Sequence, residues 1–353
     1  MGIADLLQLV LKRRASDLHL VVGYRPTLRI DGILGPVEGT DELTSQSAER
    51  LVLELFTPEQ KEMLLVNKDL DFSFSFADVA RFRVNAYYQK GALSASLRLI
   101  PFVIPSIESL NLPKICHTFE TLRQGFILVT GPTGHGKSTT IASILQEINQ
   151  TQKRHIVTIE DPIEYVYSKA KSIVSQRELH IDTLSWDIAL RSLLREDPDV
   201  VLIGEMRDYE TMAAALTIAE TGHLVFTTLH TNNAAQTVDR IVDVFPENQQ
   251  SQIRMQLANT LEGVISMRLI PAIVGGRFPA VEILLGTPAV KNLIREGKTH
   301  QIDNIIQTSG ELGMITLENS LVRLVREGKI TLETAQNYAF RPEEVMRLLH
   351  GKS

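Results

Sequence analysis

The sequence predicts an α/β fold: a domain built on a mainly parallel sheet, preceded by a small α+β domain and followed by C-terminal helices. Three observations predict it. Short apolar runs at 126–130, 156–159, 200–203 and 224–228 alternate with helical segments, the rhythm of a parallel sheet covered on both faces. The first hundred residues instead show strand alternation and a hairpin signal, and beyond Gly286 only helical spacing remains. At 353 residues, 44% of them hydrophobic, the chain is long enough for two domains with a core each.

Along the chain, the start places Lys12-Arg13-Arg14 after its apolar stretch, the reverse of a secretory signal, so the protein is expected to stay inside the cell. Residues 17–21 read as a strand, and 28–30 meets 33–34 across Asp31-Gly32, a strong hairpin signal. Ala48, Leu51, Val52 and Leu55 recur at helical spacing. Leu70, Phe72, Phe74 and Phe76 alternate with Asp71, Ser73 and Ser75, a strand with one buried and one wet face. Phe82, Val84 and Ala86 continue that buried face, which leaves Arg81, Arg83 and Asn85 on an exposed side. The pattern loosens around Pro101, Pro105 and Pro113. The expected boundaries are therefore 1–100 for the first domain, 101–120 for a linker, 121–288 for the core and 289–353 for a helical region.

Composition excludes several classes. The longest apolar runs are strand-length, so no integral membrane segment is encoded. Cys116 is the only cysteine, which rules out an intrachain disulfide and a cysteine-cluster zinc site. Net charge is −6 with the basic residues scattered, unlike the basic footprint of a nucleic-acid binder.

The most informative stretch is Gly131-Pro132-Thr133-Gly134-His135-Gly136-Lys137-Ser138, which fits G-x-x-x-x-G-K-[ST] in full. The run at 126–130 before it reads as a buried strand, and Ile141, Ile144, Leu145 and Ile148 after it recur at helical spacing. Glycines let backbone N–H groups turn inward around an anion, and the helix start adds partial positive charge. Lys137 is expected to reach the β and γ phosphates of a nucleoside triphosphate, and the Ser138 hydroxyl to ligate Mg²⁺.

Ligands of an open parallel sheet sit at the carboxyl ends of its strands. Beyond the phosphate loop, those ends deliver Glu160-Asp161, Gly204-Glu205 and His230. Glu205 emerges from a buried strand toward the Mg²⁺ position. Glu160 is better placed to take a proton from an attacking water, or else holds the metal through water; the spacing leaves both open. Asp161 and Glu164 either fix the turn around Pro162 or join the chemistry. His230 is expected to hydrogen-bond the γ-phosphate and report its loss, while His223 begins that strand at the opposite edge. Arg81 and Arg83 are either a solvated face or arginine fingers reaching a nucleotide from another domain.

These segments together resemble a known family. Residues 131–139, ending in Thr139, with Thr158-Ile159-Glu160-Asp161-Pro162-Ile163-Glu164, Gly204-Glu205-Met206-Arg207-Asp208 and 221–232, are similar to the four nucleotide motifs of the secretion ATPase superfamily. Ala15-Ser16-Asp17-Leu18-His19-Leu20 and Arg81-Phe82-Arg83-Val84-Asn85 resemble its N-terminal domain. Ala289-Val290-Lys291-Asn292-Leu293-Ile294-Arg295-Glu296 resembles the tail signature of the type IV pilus retraction ATPases, and the likeness covers nearly the whole chain.

The resemblance implies a PAS-like N-terminal domain, a RecA-like core and a homohexameric Mg²⁺-dependent ATPase whose domain closure powers pilus retraction and twitching motility. It also implies that Arg81 and Arg83 approach ATP as the domains close, and that the motor is cytoplasmic, works on the platform protein of the pilus machine and associates peripherally with the inner membrane. Extension and secretion relatives commonly carry a four-cysteine zinc module, which one cysteine cannot build. Two positions depart from the family: His135 replaces the usual serine, and Val290-Lys291 replaces isoleucine and arginine. An accessory pilus ATPase paralogue is the main alternative. A RecA-like nucleic-acid translocase or a small-molecule kinase is a more distant one.

Overall fold

Residues 1–30, 32–77, 79–100 and 103–351 are described by the computed structural model; Asp31 of the expected hairpin and Pro101 of the expected linker lie outside them. Two units are distinguished, Met1–Val103 with Pro162–Val166, and Ile104–Asp161 with Tyr167–Ser353.

The first unit is an α+β structure around six antiparallel strands: β1 (Asp17–Leu20), β2 (Thr27–Ile30), β3 (Ile33–Pro36), β4 (Asp69–Phe76), β5 (Ala80–Gln89) and β6 (Ala92–Ile100). Their spatial order is β3-β2-β1-β6-β5-β4. Ile30 pairs with Ile33 to close the hairpin, and Gly32 supplies the left-handed residue that the tight turn requires (φ +83°). The period-2 pattern buries Phe82, Val84 and Ala86 in one core with Leu6, Leu7 and Val10 of the helix Ile3–Arg13 and Leu51 and Val52 of the helix Ser45–Leu53. Arg81 and Arg83, expected to be exposed, are half-buried. The cause is their central strand: Arg83 pairs in register with Ser73 and Arg98, and its guanidinium lies 4.0 Å from Asp71.

The second unit holds β7 (Gly125–Thr130), β8 (His155–Glu160), β9 (Ile173–Glu178), β10 (Val200–Ile203), β11 (Leu224–Leu229), β12 (Leu261–Pro271) and β13 (Arg277–Leu285). They form one sheet, β13-β12-β7-β11-β10-β8-β9, parallel throughout except for the antiparallel edge strand β13. The four expected strands are thus joined by β9, β12 and β13, which the apolar-run pattern did not single out. Every residue of β7 and β11 is buried, because helices cover both faces of the middle of the sheet.

The stretch expected to link the domains packs on this unit from residue 104 onward. Ser143 of the helix Lys137–Thr151 donates to the Pro105 carbonyl, and His117 lies 2.6 Å from Glu147 on the same helix and 2.9 Å from Glu108. Cys116 beside it is fully buried, and burial pushes its thiol up to about 12.

The tail is helical, as its spacing predicts, and it packs against the sheet. The helix Pro288–Arg295 buries Val290 and Ile294 in the main core, and Lys291 lies 2.8 Å from Glu262 on β12. This lysine is therefore half-covered. Gly297 and Gly328 take the left-handed conformation that ends their helices (φ +68° and +66°). Glu318, fully buried in the helix Leu317–Arg326, accepts the Arg341 backbone N–H at 3.1 Å and its guanidinium at 3.3 Å. Among the described residues no helix is long and apolar enough to cross a membrane.

Arg341→Ala would leave the Glu318 carboxylate buried without its cation, so a stability loss of about 3 kcal/mol is expected in urea unfolding. A loss below about 0.5 kcal/mol would show that the pair does not hold the tail.

Candidate nucleotide site

The site follows from register. Thr227 of β11 pairs with Leu128 of β7 and with Ile203 of β10, and Ile203 pairs with Ile159 of β8. Four parallel strands therefore end at one level, and the polar residues after them share one edge of the sheet.

Gly131 turns the chain out of β7 at φ +134°, and a Cβ there would lie 2.3 Å from the Met267 carbonyl oxygen of β12. Only glycine fits. Gly136, also left-handed, precedes the helix Lys137–Thr151 and has no side chain to cap it, the arrangement in which first-turn N–H groups receive a phosphate. Lys137, only 8% exposed, donates from Nζ to the carbonyls of Gly131 (2.8 Å) and Pro132 (3.1 Å). Its Nζ also lies 3.4 Å from His230 Nδ1.

An ammonium has no lone pair, so Nδ1 is the acceptor and the His230 proton sits on Nε2. That Nε2 is 2.9 Å from Glu205 Oε1, and the Thr133 hydroxyl is 3.4 Å from Nδ1. One tautomer satisfies all three contacts. The other Glu205 oxygen accepts from Arg207 at 3.0 Å. Burial resists ionisation of Glu205, but Arg207 and then His230 outweigh it and hold the carboxyl below the usual carboxylate range.

Glu160 ends β8 almost fully buried, accepting the Thr158 hydroxyl at 2.7 Å and the Gln176 amide at 3.4 Å. Gly204 backs onto it so closely that a Cβ would lie 3.3 Å from the Glu160 Cα. The Thr228 hydroxyl fixes the Gly204 carbonyl at 2.7 Å, which sets where Glu205 leaves its strand. Asp161 adds its negative charge near Arg207.

His135, at a position where the family usually has serine, is bonded to the neighbouring strand. Its Nδ1 accepts the Leu269 N–H of β12 at 3.0 Å, and Arg277 donates to the neighbouring Gly134 carbonyl at 3.4 Å. Burial, then the charges of Arg277, Arg268 and Lys137, depress its pKa below the usual histidine value.

The second unit thus brings together Lys137, Thr133, His230 and Glu205, with Glu160 beside them on the neighbouring strand and Ser138 and Thr139 in the first helical turn. Arg81 and Arg83 belong to β5 of the first unit. His223 bonds the Ile218 carbonyl and the Thr221 hydroxyl at the far end of β11. Among the described residues no three His, Cys, Asp or Glu side chains form a metal-binding group. The donors that remain, the Ser138 hydroxyl and the Glu205 carboxylate, suit Mg²⁺, which takes few protein oxygens beside phosphate and water. Arg207 was legible only as a neighbour of Glu205, and nothing in the pattern pointed to Leu269 or Arg277.

A phosphate loop between a buried parallel strand and a helix, faced by acids and a histidine from adjacent strand ends, defines a RecA-type nucleotide-hydrolysing domain. Residues 3–277 match the family described as Type II/IV secretion system protein, and the chain belongs to that family. It is 47% identical over 343 residues to the Pseudomonas aeruginosa type IV pilus retraction ATPase PilT, covering 97% of this chain and 99% of that one. A twitching motility protein of Neisseria gonorrhoeae is also 47% identical, over 91% of this chain and 86% of its own. The crystal structure of the pilus retraction motor PilT with bound ADP superposes with a TM-score of 0.92 at 46% identity, over 98% and 99% of the two chains. The chain is an ATP hydrolase of this family.

Because its folded pKa is depressed, His135 takes its proton more readily in the unfolded chain, near 6.5, than in the folded one. Stability it contributes is present above 6.5 and is lost as pH falls toward the folded value. Wild-type Tm should therefore drop more steeply than that of His135→Ser between pH 7 and 5; parallel curves would contradict the depression of His135 by burial and its basic neighbours.

Proposed function

We propose that this ATPase is the motor of type IV pilus retraction, and hence of twitching motility, acting as a homohexamer in the cytoplasm against the platform protein at the inner membrane. The near-full-length similarity to a retraction ATPase and to a twitching motility protein supports the biological role. The observation that carries the chemistry is the His230 imidazole held between Lys137 and Glu205.

In this reading ATP lies along the loop Gly131 to Thr139, and the Lys137 ammonium turns from the Gly131 and Pro132 carbonyls to the β and γ phosphates. Ser138 and Glu205 hold Mg²⁺, which when bound offsets the charge that builds on the phosphate oxygens. Glu205, already engaged by Arg207 and kept strongly ionised, is a poor proton acceptor and a good oxygen ligand. Glu160 takes the proton of the attacking water, with Thr158 fixing which carboxylate oxygen is presented. His230 donates its Nε2 proton to the γ-phosphate and loses that partner on hydrolysis. Arg81 and Arg83 complete the charge around the triphosphate in the assembled ring, so that closure lasts only while it is intact.

Glu205→Ala should lower kcat by at least about 100-fold with nucleotide affinity largely kept, measured by phosphate release and fluorescent-nucleotide titration. Wild-type turnover in that variant would overturn the metal-site assignment. Arg81→Ala and Arg83→Ala should each lower kcat at saturating ATP, toward the roughly 1,000-fold effect of an arginine finger. Deleting the gene should leave surface pili in excess and abolish twitching; a deletion strain that still twitches would assign the chain an accessory role instead.

A further inference from the structure

We propose that Glu282 is a positioning residue for His230: it anchors the start of the helix that follows the histidine, and so sets where the imidazole stands. The proposal rests on the reading of His230 as the γ-phosphate sensor.

Glu282 is the one acid within Ala280-Val281-Glu282-Ile283-Leu284 of β13, and it is only 5% exposed. A carboxyl in such a run is costly unless it is bonded. Its Oε1 accepts the backbone N–H of Ala234 at 2.7 Å, and Ala234 opens the ten-residue helix Ala234–Asp243. The Asn233 side chain caps the same helix by accepting the Gln236 N–H at 2.8 Å. Local and distant acceptors therefore divide the first turn between them, and the carboxyl stands where the helix dipole favours negative charge.

His230 precedes Ala234 by four residues, and Thr231 between them bonds the Thr237 hydroxyl at 2.7 Å. The turn is consequently held at one end by the His230 contact to Glu205 and at the other by Glu282. The same strand pair reaches the phosphate loop. Glu282 pairs in register with Ser266 of β12, whose hydroxyl accepts at 2.9 Å from Thr130, the residue before Gly131. The β12–β13 pair thus holds both the base of the loop and the base of the sensing turn.

The charged groups facing Glu282 are Asp303 of the helix Ile302–Thr308, Glu318 of the helix Leu317–Arg326, Arg341 before the helix Pro342–His350, and Arg268 of β12. Burial, with the two neighbouring carboxylates, raises the Glu282 pKa to about 7 against the pull of the Ala234 N–H and Arg341. Ionisation makes the carboxyl a stronger acceptor, so the turn tightens as pH rises through neutrality. The linked stability runs the other way: it is fully present below 4.5 and is lost as pH rises toward 7.

The test uses full-length protein carrying Glu282→Gln, Glu282→Ala, His230→Ala, and the last two combined. Glu282→Ala should lower kcat by about 10-fold to 100-fold, the scale of a small misplacement of a reacting group, with KM for ATP nearly unchanged. Glu282→Gln keeps an acceptor of the same shape and should fold normally and keep kcat, but flatten both the kcat–pH profile near 7 and the fall of Tm between pH 4.5 and 7. In single-turnover measurements, Glu282→Ala should cost nothing more once His230→Ala is present. An equal loss in both backgrounds, or a loss confined to KM or Tm, overturns the proposal. Wild-type kcat in His230→Ala would instead defeat the sensor reading. The imidazole NMR signals of His230 then decide the positioning alone: a shift in Glu282→Ala supports it, and unchanged signals refute it.

Discussion

A single imidazole joins the groups of the site: His230 accepts from Lys137 and donates to Glu205, so a cation from one strand end and an acid from another are fixed through a third. That contact needs β7, β10 and β11 to run parallel and in register. Were any of the three antiparallel, its following residue would emerge at the opposite edge, some four to six residues of extended chain away. The buried apolar side chains of β7 and β11 therefore serve the chemistry by holding strand direction, and the polar residues do the rest.

β12 acts as a template beside the loop. Ser266 fixes Thr130, the Met267 carbonyl leaves room for nothing larger than hydrogen at Gly131, and the Leu269 N–H holds His135. Loop shape is thus set by a neighbouring strand as much as by the loop's own glycines. The charged groups are matched in the same way. Lys137 is supported by carbonyl oxygens and Glu205 by a guanidinium, in a partly dry setting where an unpaired ion would be costly.

The phosphate loop, the four central strands and the acids and histidine at their ends were legible because each follows a short apolar run with an abrupt polar stop. The turn at Gly32 was legible for the same local reason. β12 escaped notice because it starts at Leu261, directly after a helix ending at Thr260, with no proline or glycine to mark the change. The acid of β13 lies in mid-strand and so answers to no rule about strand ends. Arg81 and Arg83 were placed on the correct face, but alternation says nothing of how far flanking strands shade that face. Glu282 did carry a signal, one acid in an apolar run; its partner Ala234 is 48 positions away and could only be found in three dimensions.

Cys116 has a practical consequence. It is the only thiol, it is wholly enclosed, and its elevated pKa keeps the reactive thiolate scarce at neutral pH. A cysteine introduced at an open position such as Val274, 94% exposed, would then be the one site a maleimide dye reaches. Single fluorophores can be installed on the chain without removing any native residue, which opens its motions to single-molecule spectroscopy.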